Sequence, residues 1–350
     1  MCLPSKVIIC QKFITEMVSF VEYPIIKLSD QFPALYQNRY CDQEDFSIAV
    51  FGGEKVIEYF IPYKPFLLEN FDTKIYLPCL VHSKNGCKAI ASGSDIYLAD
   101  HNIVSDSYSN ELYSSSTSWK TLPLLDEDTE YFGRGRYYSF WKKSYNVCAF
   151  MQKLFVISGK NVEDECDRSC MVYDKQIDCW NYIEAMMEGR EKAACTVFEG
   201  RIVVSGGSYA HEYDYNQKLL DTVEAYDHHE DKWSYFEPML SQRSNHTAVS
   251  ISNKMFMIGG NDQCFRTNCE VFDSVTEMFT SITSIPEWID YYVSDKKTVC
   301  VGYNIYFFAG EKYGEVNIYS FDIMKNSFSF KTSLYLDENK SFSCTKVPMY

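Results

Sequence analysis

The sequence predicts an all-β chain folded as a six-bladed β-propeller, with a short helical segment ahead of it. Three observations carry this: an aromatic-rich composition, a glycine-terminated apolar run that recurs along the chain, and an aromatic pair that follows each run at a fixed spacing. Of the 350 residues, 46% are hydrophobic and 23% charged, which supplies a large core and argues against disorder. Aromatic residues make up 16%, with 28 Tyr and 24 Phe. Flat rings favour strands because they fit a pleated, half-buried surface.

The recurring runs are Ile48–Gly53, Asp95–Asp100, Leu154–Lys160, Ile202–Gly207, Met255–Gly260 and Ile305–Gly310. Registered on Gly52, Ala99, Gly159, Gly206, Gly259 and Gly310, they step by 47, 60, 47, 53 and 51 residues. A period of this length marks a supersecondary unit that buries its core only by stacking on its neighbours. Each run reads as strand B of a four-stranded unit, apolar throughout because it lies near the centre of the disc with both faces covered. Glycine ends the run where the backbone takes φ > 0 or another strand approaches closely.

Downstream of each run, an aromatic residue or Leu is followed seven residues later by a large ring: Tyr59/Phe66, Leu112/Trp119, Tyr173/Trp180, Tyr226/Trp233, Phe272/Phe279 and Phe321/Phe328. The first member belongs to strand C. In the last four units it precedes Asp174, Asp227, Asp273 and Asp322, whose carboxylates can open the C–D turn by accepting from the N–H two residues on. The second ring, on strand D, fills the gap between blades, a burial worth about 1.5–3 kcal/mol. Leu125, Met186, Met239, Ile285 and Leu334 stand six residues further on, and Arg190 and Arg243 four beyond two of these. Strand A of the next unit then follows, as Ala193–Phe198 or His246–Ile251. The insert Leu125–Ser144, with its acidic run Asp126–Glu130, reads as a solvated loop.

Glycine doublet, Tyr-Asp, Trp, Met and Arg in this order resemble the Kelch repeat. The resemblance covers about residues 45–350; the third and fourth units match best, and the first two are degenerate. It implies a propeller that binds protein. Cys41–Asp45 cannot serve as strand A of the first unit, whereas Lys340–Val347 reads as an extra A strand. A C-terminal strand at 341–348 would therefore complete the first blade and remove an open edge. Residues 1–44 form a separate segment: Val7–Val18 has helical apolar spacing. Glu22–Lys27 and Phe32–Tyr36 resemble the last helices of a BACK domain, which precedes the repeats in Kelch-like BTB–BACK–Kelch proteins. The BTB domain itself is not among these residues.

The net charge of −15 argues against nucleic acid and against anionic membranes, both of which are bound through Lys and Arg. No apolar stretch approaches the roughly 20 residues that span a bilayer. Met1–Leu28 lacks a secretory signal, and Cys148, Cys195, Cys300 and Cys344 sit in apolar, strand-like stretches, where free Cys behaves as a small hydrophobe. This reads as a reducing, cytoplasmic setting.

No constellation points to catalysis, a cofactor or a metal. Galactose-oxidase-like enzymes hold copper on related propellers, but His228 and His229 fall in a turn with no other His placed to join them. Cys166, Cys170, Cys179, Cys264 and Cys269 lack zinc-knuckle spacing. Gly133–Arg136 lacks the Lys-Ser/Thr of a phosphate loop, and no nucleophile elbow occurs.

Strand A runs antiparallel to B, so the D–A and B–C loops share one face of the disc. By resemblance, that face captures the partner. The candidate contacts are Arg190, Lys192, Tyr209, His211, Tyr213, Arg243, Asn245, Arg266, Lys312 and Tyr313, rich in the Tyr and Arg that dominate interface energetics. The alternative for Arg190 and Arg243 is that they tie adjacent blades together through carbonyls. The resemblance implies the substrate-recognition part of a cullin-type ubiquitin ligase adaptor, reaching the ligase through a BTB domain or a paralogue. Actin or another cytoskeletal protein is the alternative partner.

Overall fold

The computed structural model describes residues 46–52, 55–59, 74–76, 88–92, 95–99, 111–114, 119–123, 145–160, 165–209, 218–261, 268–286, 289, 298–312, 315–335 and 342–348. Among these the chain is all-β, without a helix. The helical reading of 1–44 and the solvated insert lie outside the described residues.

The strands are β1 (Phe46–Gly52), β2 (Lys55–Tyr59) and β3 (Lys74–Tyr76); β4 (Lys88–Ser92), β5 (Asp95–Ala99), β6 (Glu111–Ser114) and β7 (Trp119–Thr121); β8 (Asn146–Phe150), β9 (Lys153–Ile157), β10 (Cys170–Asp174) and β11 (Cys179–Ile183). There follow β12 (Ala194–Phe198), β13 (Arg201–Ser205), the short β14 (Ser208–Tyr209) and β15 (Lys218–Leu219), β16 (Val223–Asp227) and β17 (Lys232–Phe236). The remainder are β18 (Thr247–Ile251), β19 (Lys254–Ile258), β20 (Cys269–Asp273), β21 (Met278–Ile282), β22 (Thr298–Val301), β23 (Asn304–Lys312), β24 (Glu315–Asp322), β25 (Ser327–Tyr335) and β26 (Phe342–Pro348). They form six four-stranded antiparallel sheets and the ribbon β14–β15. Numbered along the chain, the first sheet has the order β26-β1-β2-β3, with β26 antiparallel to β1 from Phe46↔Pro348 to Gly52↔Phe342.

The first strands of the sheets touch one another in turn: β26 with β4, β4 with β8, β8 with β12, β12 with β18, and β22 with β26. This sets the first strand, A, innermost around a ring, and moves strand B one place outward from the centre expected for it. Burial follows. In β13 and β19 every residue after the first is buried, while β12 and β18 are half-exposed along much of their length. Strand B is sandwiched between sheets, which explains its uninterrupted apolar sequence.

The C–D turns are built by their aspartates. Asp174, Asp227, Asp273 and Asp322 accept from the backbone N–H of Gln176, His229, Val275 and Met324 at 2.8–3.0 Å. These turns set Tyr173, Tyr226, Phe272 and Phe321 opposite Trp180, Trp233, Phe279 and Phe328. The spacing fails in the first two units, which lack the Asp. There Tyr59 faces Lys74 on β3, Trp119 faces Tyr113 instead of Leu112, and Phe66 lies outside the described residues. Trp233 seals the joint between the third and fourth sheets, donating from Nε1 to the Glu184 carbonyl at 2.9 Å. Trp180 reaches the Pro123 carbonyl at the same distance.

Candidate functional site: the loop face and the joints that hold it

The loops after β11 and after β17, each leading from one sheet to the next, are fixed by buried ion pairs. Met186 and Met239 are buried, anchoring the chain just before each loop. The next two backbone N–H groups in one repeat, and the next one in the other, reach a carboxylate. Met187 and Glu188 donate to Glu224 on β16 at 2.7 and 3.2 Å, and Leu240 donates to Glu270 on β20 at 2.7 Å. Each Glu in turn receives an Arg from the same loop: Arg190 to Glu224 at 2.6 Å and Arg243 to Glu270 at 2.5 Å. Arg190 also donates to the carbonyls of Gly206 and Thr222, and Arg243 to those of Gly259 and Asn268.

The backbone of the same arginines reaches the preceding sheet. The Arg190 carbonyl accepts from Gly159 and from the Ser158 hydroxyl, and the Arg243 carbonyl from Gly207. Each Arg thus bolts two sheets together. With Arg190 at 0% and Arg243 at 2% exposure, neither guanidinium touches a partner. Both leave the candidate contact set, because burying such a cation is tolerated only when it is paired and hydrogen-bonded. The next joint shows the substitution en bloc. Ile289 stands where the Arg stood and Tyr319 where the Glu stood, and both are buried in one apolar cluster with Ile285.

Close approach at these joints demands glycine. A Cβ on Gly207 would lie 2.6 Å from the Glu191 carbonyl oxygen, and one on Gly260 2.6 Å from that of Ser244. Both residues have φ of +91°. Beside Gly206, His246 is fully buried between the fourth and fifth sheets. The Ser205 hydroxyl lies 2.8 Å from His246 Nε2 and 3.5 Å from Met257 Sδ, and the buried Nδ1 meets no hydrogen-bond partner among the described residues. Desolvation first, then Arg243 and Arg190, hold its pKa well below the usual histidine value.

Above these joints the structure brings Lys192, Tyr209 and Asn245 into one neighbourhood. Glu191 and Ser208 exchange backbone hydrogen bonds at 3.0 and 2.8 Å in an antiparallel bridge, which sets Lys192 and Tyr209 at diagonal positions on either side of it, opposite Gly207 and Arg190. Asn245 donates its N–H to the Lys192 carbonyl at 2.9 Å, and both take left-handed backbone at φ 55° and 54°. The Lys192 side chain is 39% exposed and Tyr209 38%. Glu191, buried beneath, pairs with Lys160 at 3.3 Å. Lys312 is not in a loop; it closes β23 opposite Glu315 of β24. His211, Tyr213, Arg266 and Tyr313 lie outside the described residues.

His228 packs edge-on against Phe150 at 5.3 Å and lies 3.7 Å from the His229 ring, in a turn on the opposite face. Among the described residues Cys148, Cys166, Cys170, Cys179, Cys195, Cys269 and Cys300 are not paired with one another in disulfides. Burial pushes the Cys269 thiol up to about 11. Among the described residues no group of three or more His, Cys, Asp or Glu could hold a metal ion, and no helix is long and apolar enough to cross a membrane. Glu224 and Glu270, the anchors of the whole arrangement, were not singled out by the sequence reading. Their signal was present: Glu two residues before the strand-C aromatic occurs in the same two units that carry the loop Arg.

A ring of antiparallel sheets joined through glycine doublets, Tyr-Asp turns and inter-sheet Trp defines a Kelch-repeat protein. The comparisons agree. The Kelch motif matches residues 190–240, the stretch from Arg190 through the doublet, Tyr226-Asp227 and Trp233 to Leu240. Kelch-like protein 40 of Mus musculus is 26% identical over 150 residues, 43% of this chain and 23% of that protein. Kelch-like protein 36 of Bos taurus is 29% identical over 123 residues, 34% of this chain and 18% of its own length. Kelch-like protein 23 of Homo sapiens is 30% identical over 112 residues, 31% and 18% respectively. The chain is a Kelch-repeat protein similar to the Kelch-like family, and the matches span less than a quarter of those relatives' length.

Proposed function

We propose that this chain is a protein-binding Kelch propeller that serves as the substrate-recognition part of a cullin-type ubiquitin ligase adaptor, capturing its substrate on the face around Lys192, Tyr209 and Asn245. The observation that carries the reading is the division of labour in the loops. Arg190 and Arg243 are sealed into ion pairs that fix the backbone, while Lys192 and Tyr209 stay exposed on that fixed backbone. Rigid loops carrying exposed Tyr and Lys bind with little entropy of ordering to offset. Residues 1–44 are the end of a BACK domain in this reading and 45–350 the propeller, closed as six blades by the strand at 341–348. The setting is cytoplasmic.

The test is affinity capture of the intact chain from cells, followed by proteomics. A cullin-ligase component recovered directly, or through a BTB-containing paralogue, is the expected result. Repeated capture without any ligase component rejects the adaptor role. Co-sedimentation with filamentous actin would replace it with cytoskeletal binding.

A further inference from the structure

We propose that the outer rim of the joint between the third and fourth sheets is a second docking surface, one that takes a basic, aliphatic- or aromatic-containing segment of another protein. This surface is distinct from the Lys192–Tyr209 face and does not depend on the adaptor reading. It is built by Met187, in the loop after β11, and Tyr235, on the outermost strand β17. Both are large apolar side chains left in solvent, at 43% and 55% exposure.

The scaffold places them together. Tyr235 lies directly opposite Glu224 across the β16–β17 pair, and Glu224 Oε2 accepts the Met187 N–H at 2.7 Å. Tyr235 shares the side of its strand with Trp233, two residues back, and Trp233 faces the third sheet through its bond to Glu184. The phenol therefore sits over the inter-sheet seam. Partial burial, then the field of Glu188 and Glu224, raises its pKa.

Charge complementarity identifies the occupant. Segments 181–189 and 233–242, which form this rim, contain Glu184, Glu188 and Glu237 and no Lys or Arg. Glu184 and Glu237 are exposed and Glu188 is half-exposed. Beneath Tyr235 the buried Arg190 is shared by Glu224 at 2.6 Å and Glu188 at 3.1 Å, two carboxylates against one guanidinium, and Lys232 neighbours Asp231, which accepts the Glu184 N–H. The chain as a whole carries −15, the same sign as this rim. A guanidinium or ammonium can stack on the Tyr235 ring while an adjoining apolar side chain covers Met187. An acidic or neutral segment gains only the apolar part.

The probe is a random 12-residue peptide library displayed on phage and selected against the intact chain. Enriched peptides should carry Arg or Lys beside a large apolar residue. Synthetic versions should bind the double variant Met187→Ser/Tyr235→Ser at least about tenfold more weakly, the loss expected of an interface anchor. They should bind Lys192→Ala/Tyr209→Ala with unchanged affinity. Glu184→Lys with Glu237→Lys should abolish the selection for basic residues, and unfolding midpoints close to the parent's keep the comparison interpretable. An acidic or uncharged consensus, no enrichment, or binding lost in the Lys192/Tyr209 variant and kept in the Met187/Tyr235 variant overturns the proposal. Failure of the adaptor reading is separate, since it is read in the absence of ligase components from captured complexes.

Discussion

Removing one member of the Arg243–Glu270 pair should unbalance the fifth sheet far more than removing both. Arg243→Ile strands a carboxylate that is 1% exposed and otherwise accepts from the Leu240 N–H. It also orphans the Gly259 and Asn268 carbonyls that now accept at 2.9 and 2.6 Å. Glu270→Tyr strands the guanidinium instead, along with the Leu240 N–H. Breaking a buried pair in this way costs about 3–5 kcal/mol. The double variant Arg243→Ile/Glu270→Tyr copies the solution at the next joint, where Ile289 and Tyr319 fill the same places. It leaves no uncompensated charge and keeps only the lost backbone contacts, about 1–2 kcal/mol each at most. The double change should therefore fall short of the sum of the singles by about 2 kcal/mol or more. Equilibrium urea unfolding of the four proteins, followed by circular dichroism and tryptophan emission, measures this. Strict additivity would refute the reasoning, because it would mean the two charges do not depend on each other.

Three other outcomes follow from the same geometry. His246 is held neutral when folded and titrates near 6.5 when unfolded, so the unfolded chain binds the extra proton and stability falls as pH drops below about 6.5. The slope contributed is up to about 1.4 kcal/mol per unit, and His246→Gln should flatten it in unfolding midpoints measured between pH 7 and 5. Gly260→Ala forces a side chain into φ +91° and against the Ser244 carbonyl, so its thermal midpoint should drop well beyond the shift from the roughly 1 kcal/mol of a Gly-to-Ala propensity change alone. Lys192→Ala gives up a 4.0 Å ion pair with Glu191, which keeps its pair with Lys160, so it and Tyr209→Ala should stay within about 1 kcal/mol of the parent in stability, while reducing capture of the bound protein.

The repeat was legible because each of its signals is local. A doublet needing positive φ, an Asp turning the chain in four residues, and a ring seven residues on are all set by short-range geometry, so Gly206-Gly207, Asp227 and Trp233 could be read from one sequence. The order around the ring was less so. Strand B is apolar whether it is innermost or sandwiched, and only the contacts among the first strands distinguish the two. The fate of Arg190 and Arg243 depended on Glu224 and Glu270, which lie 34 and 27 residues away; a lone Arg in a loop reads equally as a contact or a bolt. The apolar rim at Met187 and Tyr235 was hidden for a related reason. Its residues belong to different sheets and meet only once Glu224 draws the loop onto the outer strand.

The central claim is that the face bearing Lys192, Tyr209 and Asn245 receives the partner. It is tested most directly by site-specific photo-crosslinking in cells. A photoreactive amino acid is placed at Tyr209, and for comparison at Val275, an exposed residue in a turn of the opposite face. The account predicts a discrete crosslinked protein from position 209 and none from 275. Crosslinking from 275 alone, or from neither position, contradicts it.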